Sequence, residues 1–503
     1  MANRLKKALT LLVSGLFLFC TVETGVAQAP TLQFSQEAQA VYHQVTGLQS
    51  ALASTSLQKL QLADPHNQIG AYIRHLQDFL FYMLTEDPIR YNQFIKRSEL
   101  HLGTISQVAE SNPWRAYCLG EMYMMIGIAA YKRNELILAT RSFRSGLKQL
   151  RKGAADFPHF QPLQKDRHVI EALIGTVPNQ YQWAAELVTG LEAGNDGAKA
   201  LSDVYHAMQA SNHFLAQDAG FFLALTYAHQ YRKPDIAHQI AITLQRAEPN
   251  HPFILFLFAY TASENGMQTK AIRALEKHKP GAGQIDFPYL NYMLGKYRLR
   301  HLDIPGARLA FQQFLLRWQG PSYQAETWQK LGWCALLEDD HTTYHNYIAR
   351  SLKAPKSPLE GDQQARHEAL EKHEPHPALL RARLASDGHN AARAKTILAA
   401  IQPETLKESR LQLEHAYRFG RVLAELGETD PAIHYYTQAW RKGNGGKLHF
   451  ACASALQLGM MYSDLGKPQN ARLWYDRCLA EKPAIYRSGL HQKAKAGIRQ
   501  LID

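Results

Sequence analysis

Apolar residues recur three and four positions apart through most of the chain, and strand-like alternation is scarce. Ile69, Tyr72, Ile73, Leu76, Phe79, Leu80 and Met83 share one face of a 3.6-residue period, which predicts an amphipathic helix over Ile69–Leu84. The same spacing predicts helix over Phe34–Leu60 and Tyr91–Val108. Ala154–Gly197 breaks the pattern with Phe157-Pro158, Gly175-Thr176-Val177-Pro178, Gly190 and Gly194. We read it as a helical hairpin joining two halves, with a bend at Thr176-Val177-Pro178 and a buried helix over Gln182–Leu191. The expected fold class is all-α.

A longer period lies on top of the helical one. Leu458-Gly459-Met460-Met461-Tyr462 is followed by Gly466, Ala471, Tyr475 and Pro483. Small residues at Gly459 and Ala471 would let two helices approach, and Tyr462 and Tyr475 would fill the space between neighbouring pairs. Gly466 would allow the turn, and Pro483 would begin the exit from the second helix. The register recurs at Gly420, Gly427, Ala432, Tyr436 and Ala439, at Trp328–Gly332, and at Leu294-Gly295, Ala307 and Phe311. It recurs again at Ala259, Gly266, Ala271 and Leu275, and at Leu225, Ala237 and Pro249. In the Trp328 unit, Ala335 stands where an aromatic is expected and Tyr344 where a small residue is. A degenerate unit surrounds Ala382, Gly388, Ala394 and Leu398, and an isolated one surrounds Gly127, Ala130, Ala139 and Phe143. Ala237 to Ala271 is a step of 34.

These spacings resemble the tetratricopeptide repeat. The resemblance implies a right-handed α-α superhelix (a solenoid) over 218–503, ending in a capping helix from about Tyr486 to Leu501. An N-terminal helical region over 28–217 would precede it, with one repeat-like pair near 120–150. Gly127–Gly388, including Leu379-Leu380-Arg381-Ala382-Arg383-Leu384-Ala385-Ser386-Asp387-Gly388, also resembles tetratricopeptide proteins of the inclusion-body-clearance type. That second resemblance implies shared architecture and no particular activity.

The first residues read differently. Arg4, Lys6 and Lys7 precede a short apolar stretch, Leu9–Phe19, and Gly25-Val26-Ala27 offers small residues for cleavage. This predicts a signal peptide over 1–27, hence a secreted or periplasmic protein. Phe19 before Cys20 argues against a lipoprotein. Losing three basic residues and Glu23 would take the net charge from +12 to +10, a balance that permits peripheral contact with an anionic envelope surface. Export and the absence of long basic runs argue against nucleic acid as a partner. Cys118, Cys334, Cys452 and Cys478 are too few for a disulfide framework. The register nevertheless brings Cys452 and Cys478 to neighbouring ends of antiparallel helices, where an oxidising compartment would allow a disulfide or where both thiols simply pack in the core.

Catalytic motifs are wanting. His367-Glu368 lacks a second His four residues after the first, because position 371 is Glu371. No Gly-rich phosphate loop follows a strand and no G-x-S-x-G occurs. The reading is therefore a non-enzymatic scaffold at the cell envelope, with no cofactor and no metal, and an envelope hydrolase is the alternative that a buried acid facing a cleft would revive. In a tetratricopeptide register the first helix of each pair lines the concave face. That places Phe222, Phe253, Phe256, Tyr260, Tyr289, Tyr292, Lys296, Trp333, Tyr417 and Arg421 in one groove, with His229 and Gln329 beside them. Aromatic area with interspersed base suits a protein or peptide partner, and the rings would also permit a glycan. The alternative is that the N-terminal helices fill this concavity and make its aromatics core.

Overall fold

The computed structural model describes residues 29–174, 197–229, 231, 233–281, 283–371 and 373–501. The leader expected over 1–27, the bend expected at Thr176-Val177-Pro178 and the helix expected over Gln182–Leu191 lie outside the described residues. Apart from one isolated bridge, Thr31 to Asn67, the described residues form helices, turns and loops. The architecture is an all-α superhelix of helical hairpins.

Among the described residues of the N-terminal region, three hairpins form, α1 (Gln36–Thr46) with α2 (Ser50–Ala63), α3 (Ile69–Thr85) with α4 (Pro88–Ser106), and α5 (Pro113–Lys132) with α6 (Leu136–Asp156), and α7 (Gln161–Ile174) packs against α8 (Gly197–Ala210). Four more follow: α9 (Ala216–His229) with α10 (Pro234–Ala247), α11 (Pro252–Glu264) with α12 (Gln268–Lys277), α13 (Tyr289–Arg300) with α14 (Ile304–Arg317), and α15 (Gln324–Leu337) with α16 (His341–Lys353). An unpaired helix, α17 (Glu360–Leu370), packs on α15 and α16. The last hairpins are α18 (Pro377–Asp387) with α19 (Ala391–Ala399), α20 (Ser409–Glu425) with α21 (Thr429–Gly443), and α22 (His449–Asp464) with α23 (Pro468–Ala480). The terminal helix α24 (Arg487–Gln500) lies over α22 and α23, where Leu490 and Ile498 pack against the last apolar cluster.

Local chemistry sets the helix starts. Asp87, Asn112, Asp303, Asp340 and Asn390 each accept a hydrogen bond from a backbone N–H in the first turn, and Pro88, Pro113, Pro252, Pro377 and Pro468 open their helices. The hairpin turns share one backbone device. Two residues past the first helix, φ is positive at Asn134, Gly266, Leu302, Asp339, His389, Gly427 and Gly466. Three of these are glycine, as the sequence predicts for its strongest repeats. The others show that the turn geometry outlasts the residue that suits it best.

Packing within the hairpins follows a single spacing. A Cβ on Gly127, Gly295, Gly420 or Gly459 would meet the ring sixteen residues later: Phe143 at 2.6 Å, Phe311 at 2.7 Å, Tyr436 at 2.9 Å and Tyr475 at 2.5 Å. Gly332 keeps the register with Ile348, and Tyr344 packs over the same glycine. Gly459→Ala is therefore expected to lower stability by about 1–3 kcal/mol in denaturant titrations, because the ring or the helix must move. Gly489→Ala, with open space at its Cβ, serves as the control and should lose nothing.

One predicted helix needs correction. The segment Phe34–Leu60 is two helices, broken where Gly47 and Leu48 turn with Leu48 at φ 61°. The Leu48 side chain is buried, so the apolar stripe continues across the break and hides it.

The N-terminal region returns to the array through loops. Gln284 Nε2 donates to the Gly47 carbonyl (2.8 Å) and the Ile285 N–H to that of Leu48 (2.8 Å). Glu86 accepts from the Ser322 N–H (3.1 Å) and pairs with Lys132, whose ammonium lies over the Tyr323 ring. A second polar seam runs through the N-terminal region and onto α9. Buried Lys165 pairs with Asp166 (2.7 Å) and Glu121 (3.3 Å), Tyr72 donates to Glu121, and Tyr42 donates to Asp218 (2.6 Å).

His75 of α3 is fully buried beside Phe94 and His101, and its Nε2 faces the Met122 carbonyl (3.3 Å). Burial, reinforced by His101, pushes its pKa down to about 3. The native ring thus stays neutral at pH values where the unfolded chain binds a proton. Its contribution is lost as pH falls from about 6.5 toward about 3, at about 1.4 kcal/mol per pH unit. His75→Phe should flatten the pH dependence of the melting temperature between about pH 6 and 5.

Candidate functional site

The first helices of the later hairpins surround an open cleft of about 530 Å³. Its walls come from α15, α16, α17, α18, α20, α22 and α24, and from the segment that leads into α24. The insertion of α17 shapes it. With that extra helix in the path, α18 packs against α13 and α15 as well as α19 and α20. Arg393 donates to the His301 carbonyl (3.0 Å) and Arg381 to that of Leu337 (2.6 Å).

The groove predicted as continuous divides in two. Trp333, Tyr417 and Arg421 line the cleft, together with Gln329. Phe253, Phe256, Tyr260 and Tyr289 form a separate half-buried ladder nearer the N-terminal region. There Phe253 meets Phe287 (5.3 Å), Tyr260 stacks on His229 (5.0 Å), and Tyr289 packs against Tyr323 (4.9 Å). Tyr292 is 2% exposed and belongs to the core, with Lys296 lying over its ring (5.7 Å). Phe222 stands apart from both, 38% exposed and facing Lys165. Trp333 touches the cleft from behind: it is 3% exposed, with the Lys330 ammonium 3.7 Å from its ring centroid and the Arg383 guanidinium 4.8 Å from it. That clamp leaves the indole little face on which a sugar could stack.

The cleft floor is a chain of matched charges. Glu368 accepts from Gln329 (2.6 Å) and Gln364 (2.7 Å) and lies 3.7 Å from Arg383. Arg383 continues to Asp387 (3.8 Å), Asp387 to Arg421 (2.9 Å), and Arg421 to Glu425 (3.0 Å). Arg418 pairs with Glu414 (2.7 Å), and Arg410 with Glu371 (3.3 Å). Burial alone would neutralise these groups. It opposes charge on Glu368 and Asp387, yet Arg383 and its basic neighbours hold both carboxyls below their usual range. Burial likewise opposes charge on Arg383, and Glu368, Asp387 and Glu414 more than offset it. Lys330 is drawn down to about 8, chiefly by burial, against the pull of Glu326.

Aromatic rings line the cleft beside this floor, where the Arg418 guanidinium lies over the Phe450 ring. Tyr417 packs on Phe450 (5.2 Å), and His449 packs on Phe450 (4.3 Å) and Tyr486 (5.1 Å). Burial, and then Arg418 and Arg383, push His449 down to about 4, so its ring is neutral at physiological pH. Lys447 and Lys493, both exposed, stand at the rim. The sequence reading did not pick out Arg383, Arg418, His449 or Tyr486. The first two carried a signal: Arg383–Asp387, Glu414–Arg418 and Arg421–Glu425 are opposite charges four residues apart on first helices.

Among the described residues, no helix is long and apolar enough to cross a membrane. No curated protein matches the chain. Solved structures with a similar helical arrangement include a tetratricopeptide repeat protein from Parabacteroides merdae, at 10% identity over 57% of this chain and 99% of that one, TM-score 0.25. A human IFIT1 dimer with m7Gppp-AAAA matches at 11% identity over 90% and 98%, TM-score 0.33. The APC/C hetero-tetramer Cut9–Hcn1 matches at 14% over 93% and 97%, TM-score 0.27. Likenesses at this level say nothing about ligand. Residues 453–485, which span most of α22 and all of α23, match the tetratricopeptide repeat family. That match makes residues 453–485 a tetratricopeptide repeat, and other hairpins share its glycine-to-ring register, an arrangement that supports a protein-interaction scaffold.

Proposed function

We propose that the protein is an exported, non-enzymatic scaffold that binds a partner protein by laying an extended peptide segment in the cleft between α15 and α24. The observation that carries this reading is the cleft itself, with a floor of matched Arg–carboxylate pairs and a wall of Tyr417, His449, Phe450 and Tyr486. A floor already neutralised pairwise offers donors and acceptors to a peptide backbone without demanding a highly charged ligand. The rings supply apolar area for its side chains. The free ammonium groups of Lys447 and Lys493 at the rim favour acidic residues at one end of that segment. The clamped face of Trp333 favours a peptide over a glycan.

Peptides selected from a random library against the intact chain test the reading. Tyr417→Ala combined with Arg421→Ala should weaken the selected peptides by about tenfold or more, measured at a temperature where circular dichroism shows the variant folded, because Arg421 also pairs with Asp387 and Glu425. Unchanged affinity would place the binding surface elsewhere. Export is tested separately, by N-terminal sequencing of protein from envelope extract, which should begin at Gln28.

A further inference from the structure

We propose that Cys452 and Cys478 are a disulfide-forming pair that locks the last hairpin beneath the terminal helix. Cys452 is on α22 and Cys478 on α23, both are fully buried, and their Sγ atoms lie 3.5 Å apart. The Cys452 thiol also points at the Cys478 carbonyl (3.4 Å), so the two side chains converge on one spot between antiparallel helices. A disulfide holds its sulfurs about 2.05 Å apart, so closure needs the two sulfurs to approach by about 1.5 Å. The other described thiols, Cys118 and Cys334, belong to two other apolar clusters.

The location gives the bond a purpose. Phe450 and Ala453, beside Cys452 on α22, line the cleft, and the Sγ of Cys478 lies 3.9 Å from the carbonyl of Leu490, which lines it from α24. A bond here would stand directly behind the wall formed by His449, Phe450 and Tyr486. It would close a loop of 25 intervening residues, which restricts the unfolded chain far more than the folded one.

The chemistry is thiol–disulfide exchange with a small disulfide such as oxidised glutathione. The thiolate of one cysteine attacks a glutathione sulfur, forming a mixed disulfide and expelling one glutathione thiolate. The second cysteine, as thiolate, attacks the protein sulfur of that mixed disulfide and expels the other glutathione. Two protein thiols and one glutathione disulfide become one protein disulfide and two glutathione thiols. The S–H···S contact from Cys478 holds the Cys452 thiol below its usual range, which favours Cys452 as the first attacker. Burial makes the reaction wait for local opening of α24 or for folding itself.

The test uses the full chain with residues 1–27 retained, so its five cysteines include Cys20. The reduced protein is equilibrated in an oxidising glutathione buffer, denatured without reductant, alkylated and weighed. The expected result is a monomer with three alkylated thiols, an underivatised mass lower by about 2 Da than the reduced chain, and a proteolytic fragment joining Cys452 to Cys478. Five alkylated thiols would overturn the proposal. So would a linkage that uses any other cysteine, or glutathione retained on Cys452 or Cys478. The oxidised chain should also resist proteolysis within 449–500 better than the reduced chain does. Equal cleavage would remove the locking role.

Discussion

Trp333→Ala is expected to destabilise the protein by about 3–5 kcal/mol, a larger effect than on any ligand. The indole is 3% exposed and packed among Tyr292, Leu336 and Leu380 of the middle array. Deleting it opens a cavity at the junction where α18 meets α13 and α15. It also removes the ring on which Lys330 and Arg383 rest, leaving both cations in a buried setting. Thermal or denaturant unfolding reads the loss. Trp333→Phe, which keeps most of the volume and a ring face, should recover more than half of it. A variant that unfolds like the native chain but no longer binds peptide would show that Trp333 is a contact residue instead.

Glu86→Ala is expected to cost about 3–5 kcal/mol and to loosen the N-terminal region from the array. The carboxylate is 1% exposed and pairs with Lys132 while accepting the Ser322 N–H, 236 residues away in sequence. Removing it leaves the Lys132 ammonium without its counter-charge and the Ser322 N–H without its acceptor. Gly320 packs so closely on the Glu86 side chain that a Cβ there would overlap it, so Gly320→Val attacks the same joint from the other side. Hydrogen exchange should show faster exchange at 320–323 in both variants, while α22 and α23 stay protected. Protection unchanged at 320–323 would show that the joint is held by other contacts.

The repeat was legible because its packing rule is local. A glycine on the first helix and a ring sixteen residues on are both fixed by one hairpin, and Gly420–Tyr436 and Gly459–Tyr475 announce it without tertiary information. The turns were legible only where glycine fills the positive-φ position. Leu302 and His389 make the same turn with residues that carry no turn signal. The groove was harder to read. Its mapping assumed an unbroken succession of pairs, and α17 interrupts that succession. Its sequence, Glu360–Leu370, has few large apolar residues, so no stripe marks it as a helix. Glu360, Gln364 and Glu368 of this helix line the cleft with Tyr417 and Arg421, apart from Tyr260 and Tyr289, and Trp333 is buried behind the floor. The Arg–carboxylate chain that forms the floor joins α17, α18 and α20, and such a pairing exists only once the helices have met.

The most direct test of the central claim is position-specific photocrosslinking to a library-selected peptide. A photoreactive phenylalanine analogue replaces Tyr417 in the cleft, Tyr260 on the aromatic ladder, or Leu473, which is exposed on α23. A peptide lying in the cleft gives adducts from position 417 and background levels from 260 and 473. Adducts from 260 or 473, with none from 417, would contradict the claim.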